Sequence, residues 1–164
     1  MCIGRLSRSL SGNRQEVSCG APSAADCQVN AILVDAGPLV ALLHRDDQHH
    51  RKCVAALARL RDPLVTVWPA LTEAMYLLNF SWRAQDALWE LVLEETVRLL
   101  PVEAADHRRM RDLMKKYRML PMDLADAALV AVAERERIRR IFTVDRRDFS
   151  IYRPAKLGKF MILP

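Results

Sequence analysis

The chain has 164 residues, of which 51% are hydrophobic and 27% charged, enough for one globular domain with a proper core and too few for a second. Its formal charge of +5 is compatible with a polyanionic partner without demanding one. The four cysteines, Cys2, Cys19, Cys27 and Cys53, show no C-x-x-C spacing and support neither a zinc knuckle nor a disulfide framework. No apolar run approaches the ~20 residues needed to cross a bilayer, so a reducing cytoplasm without membrane contact is expected.

Residues 1–30 are rich in Ser, Gly and Ala and show neither helical nor strand periodicity. They read as a disordered extension, or as a segment outside the natural protein if translation begins near Val29. The folded domain is expected over residues 31–164. It begins at Ala31-Ile-Leu-Val-Asp35, a buried strand ending in an acid, then turns through Gly37-Pro38 into a short helix over 39–43. A second helix is expected over 48–60, with Cys53, Val54, Leu57 and Leu60 on one face, stopped by Asp62-Pro63.

Leu64-Val-Thr-Val67 reads as a second strand. Pro69 suits the first turn of a helix over 69–78, and another helix follows over 82–95. Residues 97–102 form a third strand. A helix over 104–118 is apolar along Met110, Leu113, Met114 and Tyr117 and basic around the remainder. Asp123 then fits the N-cap of an Ala-rich helix over 124–137, small-sided enough to pack closely on a sheet. Fourth and fifth strands are predicted over 141–144, ending at Asp145, and over 159–163. Strands alternating with helices argue for a three-layer α/β/α sandwich on a mostly parallel sheet.

In such sheets the ligand crevice lies beyond the carboxyl ends of the strands, where the strand order reverses. Asp35 and Asp145 each close a predicted strand. Glu73 lies one turn into the helix after strand two, and Asp126 one turn into the helix before strand four. Four crowded carboxylates repel and raise one another's pKa, so they persist with a compensating cation. Oxygen-only donors suit Mg2+ or Mn2+, and the implied chemistry is phosphodiester hydrolysis by a metal-activated water, with a second ion as an option. Arg146, Arg147 and the basic helix over 104–118 are candidates to hold a nucleic-acid backbone.

Taken singly, each residue has a plainer account. Asp35 could be a turn residue and Glu73 an acid favoured by the helix dipole. Asp123 reads as a cap and Asp126 as the ligand. His49 and His50 sit on different sides of their helix and read as solvated start residues. Trp68, Trp82 and Trp89 read as core or partner-interface side chains.

Four segments in order, Val34-Asp35-Ala-Gly-Pro-Leu-Val-Ala-Leu42, Leu71-Thr-Glu73-Ala, Asp123-Leu-Ala-Asp126-Ala-Ala-Leu-Val-Ala131 and Thr143-Val-Asp145-Arg-Arg-Asp148-Phe149, give residues 31–150 a pattern that resembles the PIN domain, and within it the VapC-like toxins. The resemblance implies a Mg2+-dependent endoribonuclease with Asp35, Glu73, Asp126 and Asp145 as the metal-binding and catalytic acids. It also implies a supporting role for the Thr143 hydroxyl, a cognate antitoxin and a homodimer, with Leu77, Leu78, Phe80 and Trp82 as candidate partner contacts; Asp123, besides capping, is a candidate to hold a second ion or an ordered water. The alternatives are a housekeeping PIN nuclease of RNA processing and a non-catalytic RNA- or protein-binding relative. The retained acids disfavour the last, since a binding module has no need of charge-repelling carboxylates at strand ends.

Overall fold

The computed structural model describes residues 30–120 and 122–164; apart from Asn30, the expected N-terminal extension lies outside them. The described chain runs β1 (Ile32–Val34), α1 (Ala36–Leu43), α2 (His50–Leu57), β2 (Leu64–Val67), α3 (Trp68–Leu77), α4 (Trp82–Leu93), β3 (Val97–Leu100), α5 (Ala104–Lys116), α6 (Leu124–Glu136), β4 (Arg140–Phe142), α7 (Arg146–Ile151) and β5 (Met161–Leu163).

The strands form one sheet in the order β3-β2-β1-β4-β5, and every pairing is parallel. The chain lays β1, β2 and β3 in one direction and then returns to place β4 on the other side of β1. The order therefore reverses between β1 and β4, whose ends open the crevice that such sheets offer a ligand. Alternation along the strands divides the core. Leu33, Val65 and Ile141 pack with α5 and α6, while Ile32, Val34, Leu64 and Phe142 pack with α1, α2 and α4. The predicted three-layer sandwich is present, and its sheet is parallel throughout.

α6 buries Ala125, Ala127, Ala128, Ala131 and Ala133 among its inward residues, which is what its small side chains suggested. α5 is tied to it by a bidentate pair from Arg109 to Glu134 at 2.7 and 2.8 Å and by Arg135 on Asp106. Part of the basic face of α5 is thus consumed in holding two helices together.

Three expectations change. β4 ends at Phe142, although the Thr143 N–H still donates to the Leu163 carbonyl at 3.0 Å, so Asp145 stands three residues beyond the strand. Residues 146–151 form a helix that the sequence does not announce, its six residues being too few to display a period. Leu78, a candidate partner contact, is fully buried in the core, whereas Leu77, Phe80 and Trp82 are exposed.

Gly37 shows how tightly the crevice is closed: a Cβ there would stand 2.4 Å from Val144 Cγ2. α1 thereby lies against the segment leading to Asp145. Gly37→Ala should destabilise the fold by about 1–3 kcal/mol through overpacking, measured by urea unfolding. Adding Val144→Ala should recover most of that loss; an unrelieved double variant would locate the strain elsewhere.

Candidate active site

Asp35 follows β1 directly. Its Oδ1 accepts the Ala36 N–H at 2.7 Å and caps α1, a role in which aspartate supplies one acceptor to an otherwise unpaired helix end. Its Oδ2 accepts the Thr143 hydroxyl at 2.7 Å, and that hydroxyl oxygen accepts the Asp145 N–H at 3.0 Å. Thr143 is wholly buried and Asp35 nearly so. One hydroxyl therefore fastens the end of β1 to the segment after β4. Asp145 itself is exposed and caps α7 through the Asp148 N–H, 3.0 Å from its Oδ1.

Glu73 is half-buried in the middle of α3. On α6, Asp123 Oδ1 accepts the Asp126 N–H at 2.9 Å and caps the helix as expected, while the Asp126 side chain takes no part in the cap. Tyr152, fully buried, donates its hydroxyl to Asp126 Oδ2 at 2.9 Å. Its ring packs against Tyr117 and Phe149 with centroids 5.1 and 5.3 Å away, so the hydroxyl has a fixed direction. Sequence reasoning missed Tyr152, since the pairing spans 26 residues and a tyrosine after a short helix is unremarkable.

Burial is the first reason that three of the acids are shifted upward, and their neighbours are the second. Asp35 is pushed up to about 6 by burial, opposed by the Thr143 and Ala36 hydrogen bonds and reinforced by the charges of Asp123 and Asp145. Glu73 rises to about 7 through burial and the charges of Asp123 and Asp35. Asp126 rises to about 7 through burial and Asp35 and Asp123, against the Tyr152 hydrogen bond, with Asp145 adding to the rise. All four predicted acids and Asp123 therefore form one electrostatic group. Asp123 joins it more fully than a cap alone requires.

Carboxylates kept from ionising together are a site for a cation, and this donor set, oxygen throughout, fits a hard divalent metal. Among the described residues no three His, Cys, Asp or Glu side chains form a ready-made coordination cage. Mg2+ asks for less, because it commonly takes one or two direct carboxylates and retains several waters. Asp35, Glu73, Asp126 and Asp145 are the residues that would hold it.

Arg146 and Arg147 open α7 and are exposed, with the Arg146 guanidinium donating to the Pro164 carbonyl. Cys53 is buried and free. No helix among the described residues is long and apolar enough to cross a membrane.

The family model for the PIN domain matches residues 32–156. Ribonuclease VapC26 of Mycobacterium tuberculosis (strain ATCC 25618 / H37Rv) is 28% identical over 135 residues, covering 81% of this chain and all of the relative. Among solved structures, Mycobacterium tuberculosis VapC20, a Sarcin-Ricin loop cleaving toxin, aligns with a TM-score of 0.63 at 23% identity over 67% of this chain and 86% of its own. VapBC2 from Rickettsia felis, bound to a DNA fragment from their promoter, aligns at 0.59 and 12% identity over 82% and 99%. A toxin-antitoxin complex from Klebsiella pneumoniae aligns at 0.56 and 18% identity over 73% and 90%. At such identities the structures attest the fold.

Two measurements check the electrostatics. With Asp126 at about 7 in the folded chain against an ordinary 3.8, the folded state retains a proton that the unfolded chain loses. Metal-free stability should therefore fall as pH rises through that window. Asp126→Asn removes this penalty, so in EDTA its Tm advantage over the parent should be absent near the ordinary value and grow towards neutrality; a pH-independent difference would refute the assignment. Tyr152→Phe keeps the rings and removes the bond, at a cost of about 0.5–1.5 kcal/mol. It should move the Asp126 carboxyl titration, followed by carbon NMR, further upward.

Proposed function

The chain belongs to the PIN domain family, and from that premise we propose that it is a divalent-metal-dependent endoribonuclease acting as the toxin of a toxin–antitoxin module. The observation that carries this reading is the group of buried and half-buried carboxylates at the β1/β4 reversal, three of them with raised pKa. PIN domains are nucleases, and the VapC26 relative bears the name ribonuclease. Mg2+ or Mn2+ is the metal that such oxygens would select.

When bound, the ion supplies an activated water and neutralises charge on the phosphate oxygens. The protein's part is alignment. Thr143 orients Asp35, Tyr152 orients Asp126, and the α7 cap orients Asp145. The Thr143 hydroxyl donates to Asp35 and accepts from Asp145, which gives it a holding role, and in this reading water attacks phosphorus. RNA in the cytoplasm is the substrate of this reading.

The proposed antitoxin and a second copy of the chain would meet the apolar surface that α3 and α4 leave uncovered. Tyr76, Phe80 and Trp82 are 72%, 59% and 69% exposed, large apolar side chains of the kind a partner surface covers.

Purified chain with Mg2+ or Mn2+ should cleave RNA, and EDTA should stop it. Residues that only orient metal ligands are worth about 10–100-fold, so Asp35→Asn and Asp126→Asn should lose more than that while retaining the parent's circular dichroism. If both cut normally, the site is elsewhere. Expression alone should arrest growth, and co-expression with an antitoxin frame found beside the gene should relieve it; growth unaffected by an active chain would favour a processing role.

A further inference from the structure

A cavity of about 280 Å3 lies beside the acids, lined by His49, Lys52, Asp145, Arg146 and Arg147 together with Thr143, Val144 and Pro164. Of these, Asp145 is one of the acids and Thr143 is hydrogen-bonded to another, Asp35. The cavity is thus continuous with the site and lies on its α2/α7 side. Its other charged walls, Lys52, Arg146 and Arg147, are cationic.

We propose that this cavity is a phosphate-binding subsite that holds the RNA backbone one linkage away from the bond being cleaved. The proposal rests on the nuclease reading for its ligand and goes beyond it in naming the strand's path and two residues, His49 and Lys52, that no motif contains.

The arrangement around the cavity favours this assignment. His50 turns back, its Nδ1 bonded to the Ala41 carbonyl at 2.7 Å, which leaves His49 as the histidine on the cavity wall. The position of Lys52 is set by its neighbour Cys53, which is buried in the core and whose N–H bonds to the His49 carbonyl at 2.9 Å. Among the described residues neither Lys52 nor Arg147 enters a salt bridge, so both charges are available to a ligand. Arg146 is held on the Pro164 carbonyl and shapes the wall.

On the rival basic surface, α5, Arg109 is committed to Glu134, and none of the α5 cations lines the cavity beside the acids. A polyanion spanning the metal-binding acids thus finds free, positioned cations towards α2 and α7. Opposite signs side by side also suit a chain of phosphates. The cleaved group needs a cation among carboxylates, and its neighbour needs cations supplied by the protein.

The test compares two substrates and one binding assay. Lys52→Glu should raise KM for a short single-stranded oligoribonucleotide about tenfold, the scale of one charged hydrogen bond. It should leave cleavage of bis(p-nitrophenyl) phosphate, which has no neighbouring phosphate, unchanged. Lys52→Arg should restore KM, and Arg111→Glu on α5 should leave it as in the parent. In the Asp126→Asn background, binding of the same labelled oligonucleotide should weaken in step, and its salt dependence should become shallower by about 0.7 for each phosphate no longer neutralised.

An equal KM rise from Arg111→Glu would show diffuse attraction and overturn the subsite. So would a loss on both substrates, which would mean damage to the acids, or no change on either. If no RNA is cleaved by the parent, the nuclease reading fails. The binding assay then decides alone: weaker binding through Lys52→Glu and not Arg111→Glu upholds the subsite, and any other result removes it.

Discussion

The Thr143 hydroxyl is the contact on which the active-site edge depends. It donates to the Asp35 carboxylate and accepts from the Asp145 backbone, joining the two chain segments that leave β1 and β4. Parallel pairing of those strands brings the segments near each other, and the hydroxyl fixes how near. A valine of the same shape would fill the volume and leave a buried carboxylate without its donor, which is among the more costly losses a core can suffer.

Around that contact the fold sets burial against repulsion. α3 and α6 bring Glu73 and Asp126 to the same crevice, and desolvation raises both before the neighbouring charges add to the effect. Hydrogen bonds from Thr143 and Tyr152 act in the opposite sense, favouring the ionised forms of Asp35 and Asp126. The site is thus poised, and a divalent ion would tip it towards full ionisation by linkage.

The strands and long helices were legible in the sequence because their apolar residues repeat with the period of the element. Asp35 was legible for the same reason, closing an apolar run that can only be an interior strand. Glu73 and the choice of Asp126 over Asp123 came from resemblance, since an acid on a helix has several ordinary explanations. What stayed hidden is what depends on distant pairing. Tyr152 reaches Asp126 across the fold, His49 and Lys52 face Asp145 only after α2 docks, and α7 is too short for a pattern. Leu78 shows the converse, an apolar residue beside a truly exposed stretch whose burial depends on the turn ending α3.

Asp35, Asp123 and Asp145 each begin a helix and accept one of its first N–H groups; Glu73 and Asp126 cap nothing. The first three would therefore be retained in a relative that had lost all chemistry, because the helices they start would fray without them. Their presence at helix starts is weaker evidence for catalysis than charge repulsion alone suggests. Among relatives of this chain, Glu73 and Asp126 are the positions whose loss should separate a silent scaffold from a working nuclease.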